Sequence, residues 1–144
     1  MIKIIIPLEP VAQERPRFSN RGKFVTTYDP PKSKAYKKLV REMAQEQYHG
    51  QPIPKEKPLK VAVTFYRKIQ KSTTKRDYQA KLDGLILPFK KPDIDNYFKA
   101  VTDGLSKVVW ADDNQITDVE MYKRYSDEPR TEITIWEIEE EIKS

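Results

Sequence analysis

The chain has 144 residues, no cysteine and a net charge of +5, a length that suits one domain spanning 1–144. The missing cysteines exclude a disulfide framework and a thiolate metal site, and they suit a reducing cytosol. No apolar run approaches the roughly 18 residues of a membrane span, and "MIKIIIPLEP" is too short in its apolar part for a signal peptide, so a cytoplasmic protein without membrane contact is expected.

In chain order, "MIKIIIPLE" reads as a first strand, rich in Ile and ended by Pro7 or shortly after. "PVAQERPRFSNRGKFVTTYDPP" holds four prolines and a turn-like "SNRGK", which predicts a loop with room for a short hairpin about Asn20–Gly22. "PKSKAYKKLVREMAQEQ" sets Tyr36, Leu39, Val40, Met43 and Gln47 at helical spacing, and Gly50 and Pro52 stop that helix. "LKVAVTFYRK" alternates and is β-branched, the pattern of a second strand.

Residues 69–92, "IQKSTTKRDYQAKLDGLILPFKKP", are basic and only weakly periodic around Tyr78–Leu82. They predict an excursion with one short helix. From Asp93, "DIDNYFKAVTDGLSKVVW" puts Ile94, Tyr97, Phe98, Val101, Leu105 and Val108 on one face, an amphipathic helix despite Gly104. "ADDN" is a turn, and "QITDVEMYKRY" and "RTEITIWEIEE" are two strands that "SDEP" would join as an antiparallel hairpin. The sum is an α+β protein: a small mixed β-sheet packed with two main helices.

Charge is unevenly distributed along this order. Residues 1–91 carry 21 Lys and Arg against 8 Asp and Glu, whereas residues 92–144 carry 6 against 14. A basic first part offers the counterion-releasing surface that nucleic acid attracts. It equally describes a solvated, Lys-rich face.

Against that background, two anions stand one residue apart in "KKPDIDNYFKAV". Asp93 can serve as a helix N-cap, and Asp95 as a first-turn charge favourable to the helix dipole. The other reading is a divalent-cation site, because Mg²⁺ takes carboxylate oxygens and can bind phosphate and activate water. A second pair, Asp112 and Asp113, follows the same helix. A helix from 94 to 108 is roughly 20 Å long, so the second pair reaches the first only if the chain turns back or a second subunit supplies it. Lys99 lies four residues after Asp95, placed for an ion pair with Asp95 or Asp103 or for offsetting charge at a scissile phosphate.

Other chemistries fail on the residues. "DIDNYFKAVTDG" carries Phe where a calcium loop needs its sixth-position glycine. His49, the single histidine, falls at a helix end, and four glycines form no phosphate-cradling motif.

The chain resembles the RusA family of Holliday junction resolvases. The resemblance rests on "KKPDIDNYFKAVTDGL" followed by "VVWADDNQI" ahead of the last two strands, with "ERPRF", a Y-x-P and a Lys-rich helix upstream. It runs from the first strand to about Trp136. It implies a homodimeric, Mg²⁺-dependent endonuclease, with Mn²⁺ as a substitute metal, that resolves four-way DNA junctions by paired nicks in recombination and repair. The family's acidic residues fall on Asp93, Asp95 and Asp113, gathered into one site per subunit as metal ligands and catalytic groups, and its lysine falls on Lys99. Arg15, Arg17, Lys90 and Lys91 are the candidate phosphate contacts. Trp110 and the Ile133, Ile135 face are candidates for the dimer interface or for ordinary core. Two rivals stay open: a junction-binding protein without cleavage activity, and a metal-dependent nucleotide phosphohydrolase.

Overall fold

The structure, a computed structural model, describes residues 1–15, the backbone of 17–21 and 24–28, and residues 30–140. In chain order the elements are β1 (Ile2–Ile6), β2 (Arg17–Arg21), β3 (Phe24–Tyr28), α1 (Pro31–Gln47), β4 (Leu59–Lys68), α2 (Lys75–Leu82), α3 (Ile94–Leu105), a 3₁₀ turn (Asp113–Gln115), β5 (Ile116–Ser126) and β6 (Arg130–Glu137). The class is α+β, as expected, with the short third helix α2 on the excursion. Strands β2 and β3 pair antiparallel as a separate ribbon.

The main sheet has the order β1-β6-β4-β5. This corrects the expected hairpin of the last two strands: β4 lies between them, antiparallel to β6 and parallel to β5. The reason is apolar content. Leu59, Val61, Val63 and Phe65 alternate along β4 and are at most 1% exposed, so this strand gains most from an interior place. On β5 the solvent-exposed Asp118, Glu120 and Tyr122 suit an edge. A parallel β4–β5 pair needs a long crossover, and residues 69–115, with α2 and α3, provide it.

Helices α1 and α3 pack on each other over one face of the sheet. The buried face of α1 is Ser33, Tyr36, Val40 and Ala44, whereas Leu39, expected inside, is 41% exposed. Gly104 permits the close helix approach: a Cβ there would lie 2.6 Å from Val40 Cγ1 and 3.1 Å from the Lys37 carbonyl. Two cations of α1 secure the far end of α3. Arg41 donates to the Ser106 and Asp103 carbonyls (2.9 and 3.0 Å), and Lys37 pairs with the Asp103 carboxylate at 3.0 Å. At the sheet edge, the Gln47 amide both donates to and accepts from the Ile5 backbone (2.7 and 2.9 Å), which closes part of an exposed strand.

Trp110 and Ile133 are fully buried and Ile135 is 1% exposed. They are core of the single chain and do not form the interface face considered for them. No helix among the described residues is long and apolar enough to cross a membrane.

Candidate active site

The acids sit where the crossover returns to the sheet. Helix α2 starts at Thr74, whose hydroxyl accepts from the Asp77 N–H (3.3 Å). It ends at Gly84 in the left-handed region (φ 75°), with Leu85 N–H donating to Ala80 O and Gly84 N–H to Lys81 O (2.9 and 3.2 Å), the bonding of a Schellman cap. This helix buries no residue; one link to the sheet is the Lys81 ammonium 4.7 Å above the Tyr125 ring. After it, Leu85 and Phe89 stand in solvent, and so do Lys90 and Lys91. The chain then enters α3 through Asp93, after a cis Lys91–Pro92 bond.

Asp93 holds the N-cap position (φ −66°, ψ 145°), yet its carboxylate makes no capping hydrogen bond. Thus the structural role expected of it is filled by position alone, and no hydrogen bond or ion pair among the described residues holds its oxygens. Asp95 lies in the first turn. Asp93, Asp95 and Lys99 are all solvent-exposed, the last one helical turn beyond Asp95. Asp103, the other ion-pair partner considered for Lys99, is bound to Lys37.

Below the acids, Tyr97 is buried and stacks on Phe65 of β4 (centroids 5.2 Å apart). This fixes the first turn of α3 to the sheet. The N-terminal loop docks at the same place, because the Gln13 N–H donates to the Asn96 carbonyl (2.9 Å). Arg15, two residues further along this loop, is exposed. The side chain of Arg17 lies outside the described residues. A cleft of about 310 Å³ opens beside the turn, lined by Glu9, Lys32, Arg67, Pro92 and Tyr97 among others.

The second pair of acids has a different environment. Asp112 accepts from the Asn114 N–H (2.9 Å), and Gln115 returns the bond to the Asp112 N–H (2.8 Å), a capping box for the 3₁₀ turn. The Gln115 amide also donates to the Pro54 and Lys57 carbonyls (2.8 and 3.0 Å). Asp113 accepts from the indole N–H of buried Trp110 at 2.7 Å. Trp110 belongs to the far end of α3, since its carbonyl accepts from the Lys107 N–H (2.8 Å) in a turn where Lys107 adopts φ 71°.

Asp93 and Asp95 therefore stand at one end of α3 and Asp113 beyond the other, some 18 Å of helix apart for its 12 residues. Among the described residues no three His, Cys, Asp or Glu side chains come together as a metal site. The expected gathering of the three acids within one chain is absent there. What the described residues do assemble is a pair of carboxylates with no hydrogen-bond or ion-pair partner among them, hard oxygen donors of the kind Mg²⁺ takes while keeping several waters.

Two cations missed in the sequence touch this turn. Lys123 of β5 donates to the carbonyls of Lys90 and Pro92, both at 2.8 Å. Arg67 of β4 donates to the Lys91 carbonyl at 3.2 Å. The Lys123 ammonium is pushed below the usual lysine range, first by burial and then by the Arg67 guanidinium, with Asp93 acting the other way. A signal was present in the pattern: Arg67 follows Val61, Val63 and Phe65 in alternation, and Lys123 follows Val119 and Met121. Each cation stands in its strand's apolar register.

The profile of the endodeoxyribonuclease RusA family matches residues 7–136. The chain belongs to the RusA endodeoxyribonuclease family. It is also 40% identical, over 139 residues, to the protein YqaN of Bacillus subtilis (strain 168), described as uncharacterized, with 95% of this chain and 96% of that one covered. The family match spans β2 to β6 and both carboxylate pairs. The stretches "DIDN" and "WADD", both inside the matched residues, lie at the two ends of α3.

Proposed function

We propose that this RusA-family chain is a metal-dependent endodeoxyribonuclease that resolves four-way DNA junctions by paired nicks, acting in recombination and repair. The observation that carries the reading is the exposed, uncapped Asp93 and Asp95 pair beside exposed Lys90, Lys91 and Lys99. A solvated surface alone does not call for two adjacent anions among cations; a phosphate and a cation shared between them do.

In this reading Asp93 and Asp95 hold Mg²⁺, or Mn²⁺ in its place. When bound, the metal supplies Lewis-acid stabilisation of the phosphate and lowers the pKa of water. The protein does the rest. Lys90, Lys91, Arg15 and Arg17 bind the backbone phosphates and set the register. Lys99, one turn from Asp95, offsets charge that develops on the phosphate oxygens. One aspartate orients the attacking water in line with the leaving oxygen.

The separation of Asp113 from Asp93 favours a homodimer in which the partner's Asp113 completes the site. A junction close to two-fold symmetric needs two opposed nicks, and a C₂ dimer supplies two related sites. The nucleotide-hydrolase rival is disfavoured by the basic surplus of residues 1–91, which fits a polyanion better than a single nucleotide.

The test incubates the purified protein with a synthetic four-way junction and a matched linear duplex, each with Mg²⁺ or with EDTA. Symmetric nicks in the junction, dependent on Mg²⁺, are the expected result. Tight junction binding with no nicks in any divalent metal would leave the non-cleaving binding protein. Binding should also weaken with salt: for about six neutralised phosphates the slope of log K against log salt is roughly −5.

A further inference from the structure

The turn that carries Asp93 is held by three consecutive backbone carbonyls. Those of Lys90 and Pro92 accept from Lys123 at 2.8 Å, and that of Lys91 accepts from Arg67 at 3.2 Å. The donors come from neighbouring strands. Phe65 pairs with Lys123 and Arg67 with Tyr125 in the parallel β4–β5 register. Residues 65 and 67 share a face, and so both cations point to the helix side of the sheet at one end of it. Phe65 between them is the ring that Tyr97 stacks on. The first turn of α3 is thus fixed from below by an aromatic contact and from before by two cations.

Nothing else described ties this turn down as firmly. Pro92 has no N–H, Lys90 and Lys91 are exposed, and α2 upstream buries nothing. A carboxylate that must meet a metal with a strict geometry gains from a fixed backbone. From these contacts we propose that Lys123 and Arg67 are positioning residues: they clamp the Lys90–Pro92 turn so that Asp93 and Asp95 present their oxygens to one cation. The inference rests on the metal reading of the acid pair. It assigns the two residues to the protein's backbone, not to the phosphate of the DNA.

The clamp can be tested without cleavage. Mn²⁺ binding to the intact protein is followed by electron paramagnetic resonance, for wild type, Lys123→Met and Lys123→Arg. Loss of an outer-shell partner weakens metal binding about 10- to 100-fold, and that weakening is expected for Lys123→Met, with partial recovery in Lys123→Arg. The Asn96 amide, which bonds the Asp93 carbonyl at 3.1 Å, should exchange faster in Lys123→Met. Junction affinity in EDTA should stay within about twofold, since each lost phosphate contact would instead lower the salt slope by about one. Wild-type Mn²⁺ affinity with unchanged Asn96 exchange in a folded Lys123→Met protein would overturn the clamp. So would a fall in metal-free junction binding as large as the fall in Mn²⁺ affinity, which would make Lys123 a phosphate contact. If Lys123→Met does not fold, Arg67→Met carries the same measurements, with a smaller expected effect from its longer single bond. Absence of Mn²⁺ uptake by wild type would sink the metal reading of the acids, while Asn96 exchange would still decide the clamp.

Discussion

The two ends of α3 carry the same chemical groups and use them differently. At the far end, Asp112 closes a capping box, Asp113 accepts from Trp110, and Asp103 pairs with Lys37. Each carboxylate there has a partner within its own chain. At the near end, Asp93 stands at a cap position and makes no cap, and Asp95 and Lys99 stand in solvent. The near end is instead held through its backbone, by Lys123, Arg67 and the Phe65–Tyr97 stack. The contrast separates two ways of placing an acid. Asp103 and Asp112 serve the fold through their partners, and Asp113 holds Trp110 with one oxygen while staying exposed, whereas Asp93 and Asp95 are exposed and their backbone is secured by other means.

The sharpest way to break this comparison is to exchange the ends between subunits. Asp93→Asn should lower junction cleavage by about 10³-fold or more, as expected when several kcal/mol of metal stabilisation is lost. Junction binding should be intact or tighter, because a charge repelling phosphate is gone. Asp113→Asn alone should behave the same way if it acts from the partner. Mixing the two inactive proteins should then restore nicking of one strand, since a heterodimer joins the intact near end of one copy to the intact far end of the other. If the mixture stays inactive while each protein exchanges subunits, Asp113 acts within its own chain or only supports Trp110.

Part of this contrast is legible in the sequence. The strands β1 and β4, the span of α1 and the start of α3 follow from period and from Pro and Gly punctuation alone. So did the acid pair, because an apolar-periodic run beginning at "DID" has one cap too many. Strand order was not legible. Adjacent strands joined by "SDEP" suggest a hairpin, and only the need to bury β4 on both edges overrides that local preference. The clamp is hidden for a related reason: Lys123 and Arg67 stand in their strands' apolar register, but only the folded sheet shows both reaching the same turn.

A smaller effect sharpens the description of the far end. Gly104→Ala places a Cβ 2.6 and 2.7 Å from Val40 side-chain carbons. Overpacking of this kind costs typically about 1–3 kcal/mol, and the gain in helix propensity returns up to about 1 kcal/mol. Urea unfolding should therefore show net destabilisation. The same substitution in a Val40→Ala background should cost less, because the nearer clashing carbon, Cγ1, is removed while Cβ at 2.7 Å remains. Equal costs in both backgrounds would mean that the helices separate freely.

The last effect reads the floor under the near end. Tyr36 of α1 is buried, and burial pushes its phenol from 10 up to about 12, with Tyr97 adding in the same direction and Thr131 opposing. The folded protein thus keeps a proton that the unfolded chain releases from about pH 10. Above that pH the folded state binds more protons than the unfolded state, so stability falls as pH rises, by at most about 1.4 kcal/mol per pH unit for this group. The contribution is fully present below about pH 10 and is lost toward about pH 12. Tyr36→Phe removes this slope and leaves that of the other tyrosines and the lysines unchanged. Denaturant midpoints measured between pH 9 and 11.5 should converge or cross, with wild type losing about 1 kcal/mol more than Tyr36→Phe by pH 11. Parallel pH profiles for the two proteins would place the Tyr36 hydroxyl in contact with water, and the sheet beneath the first turn of α3 would be less tightly covered than its burial indicates.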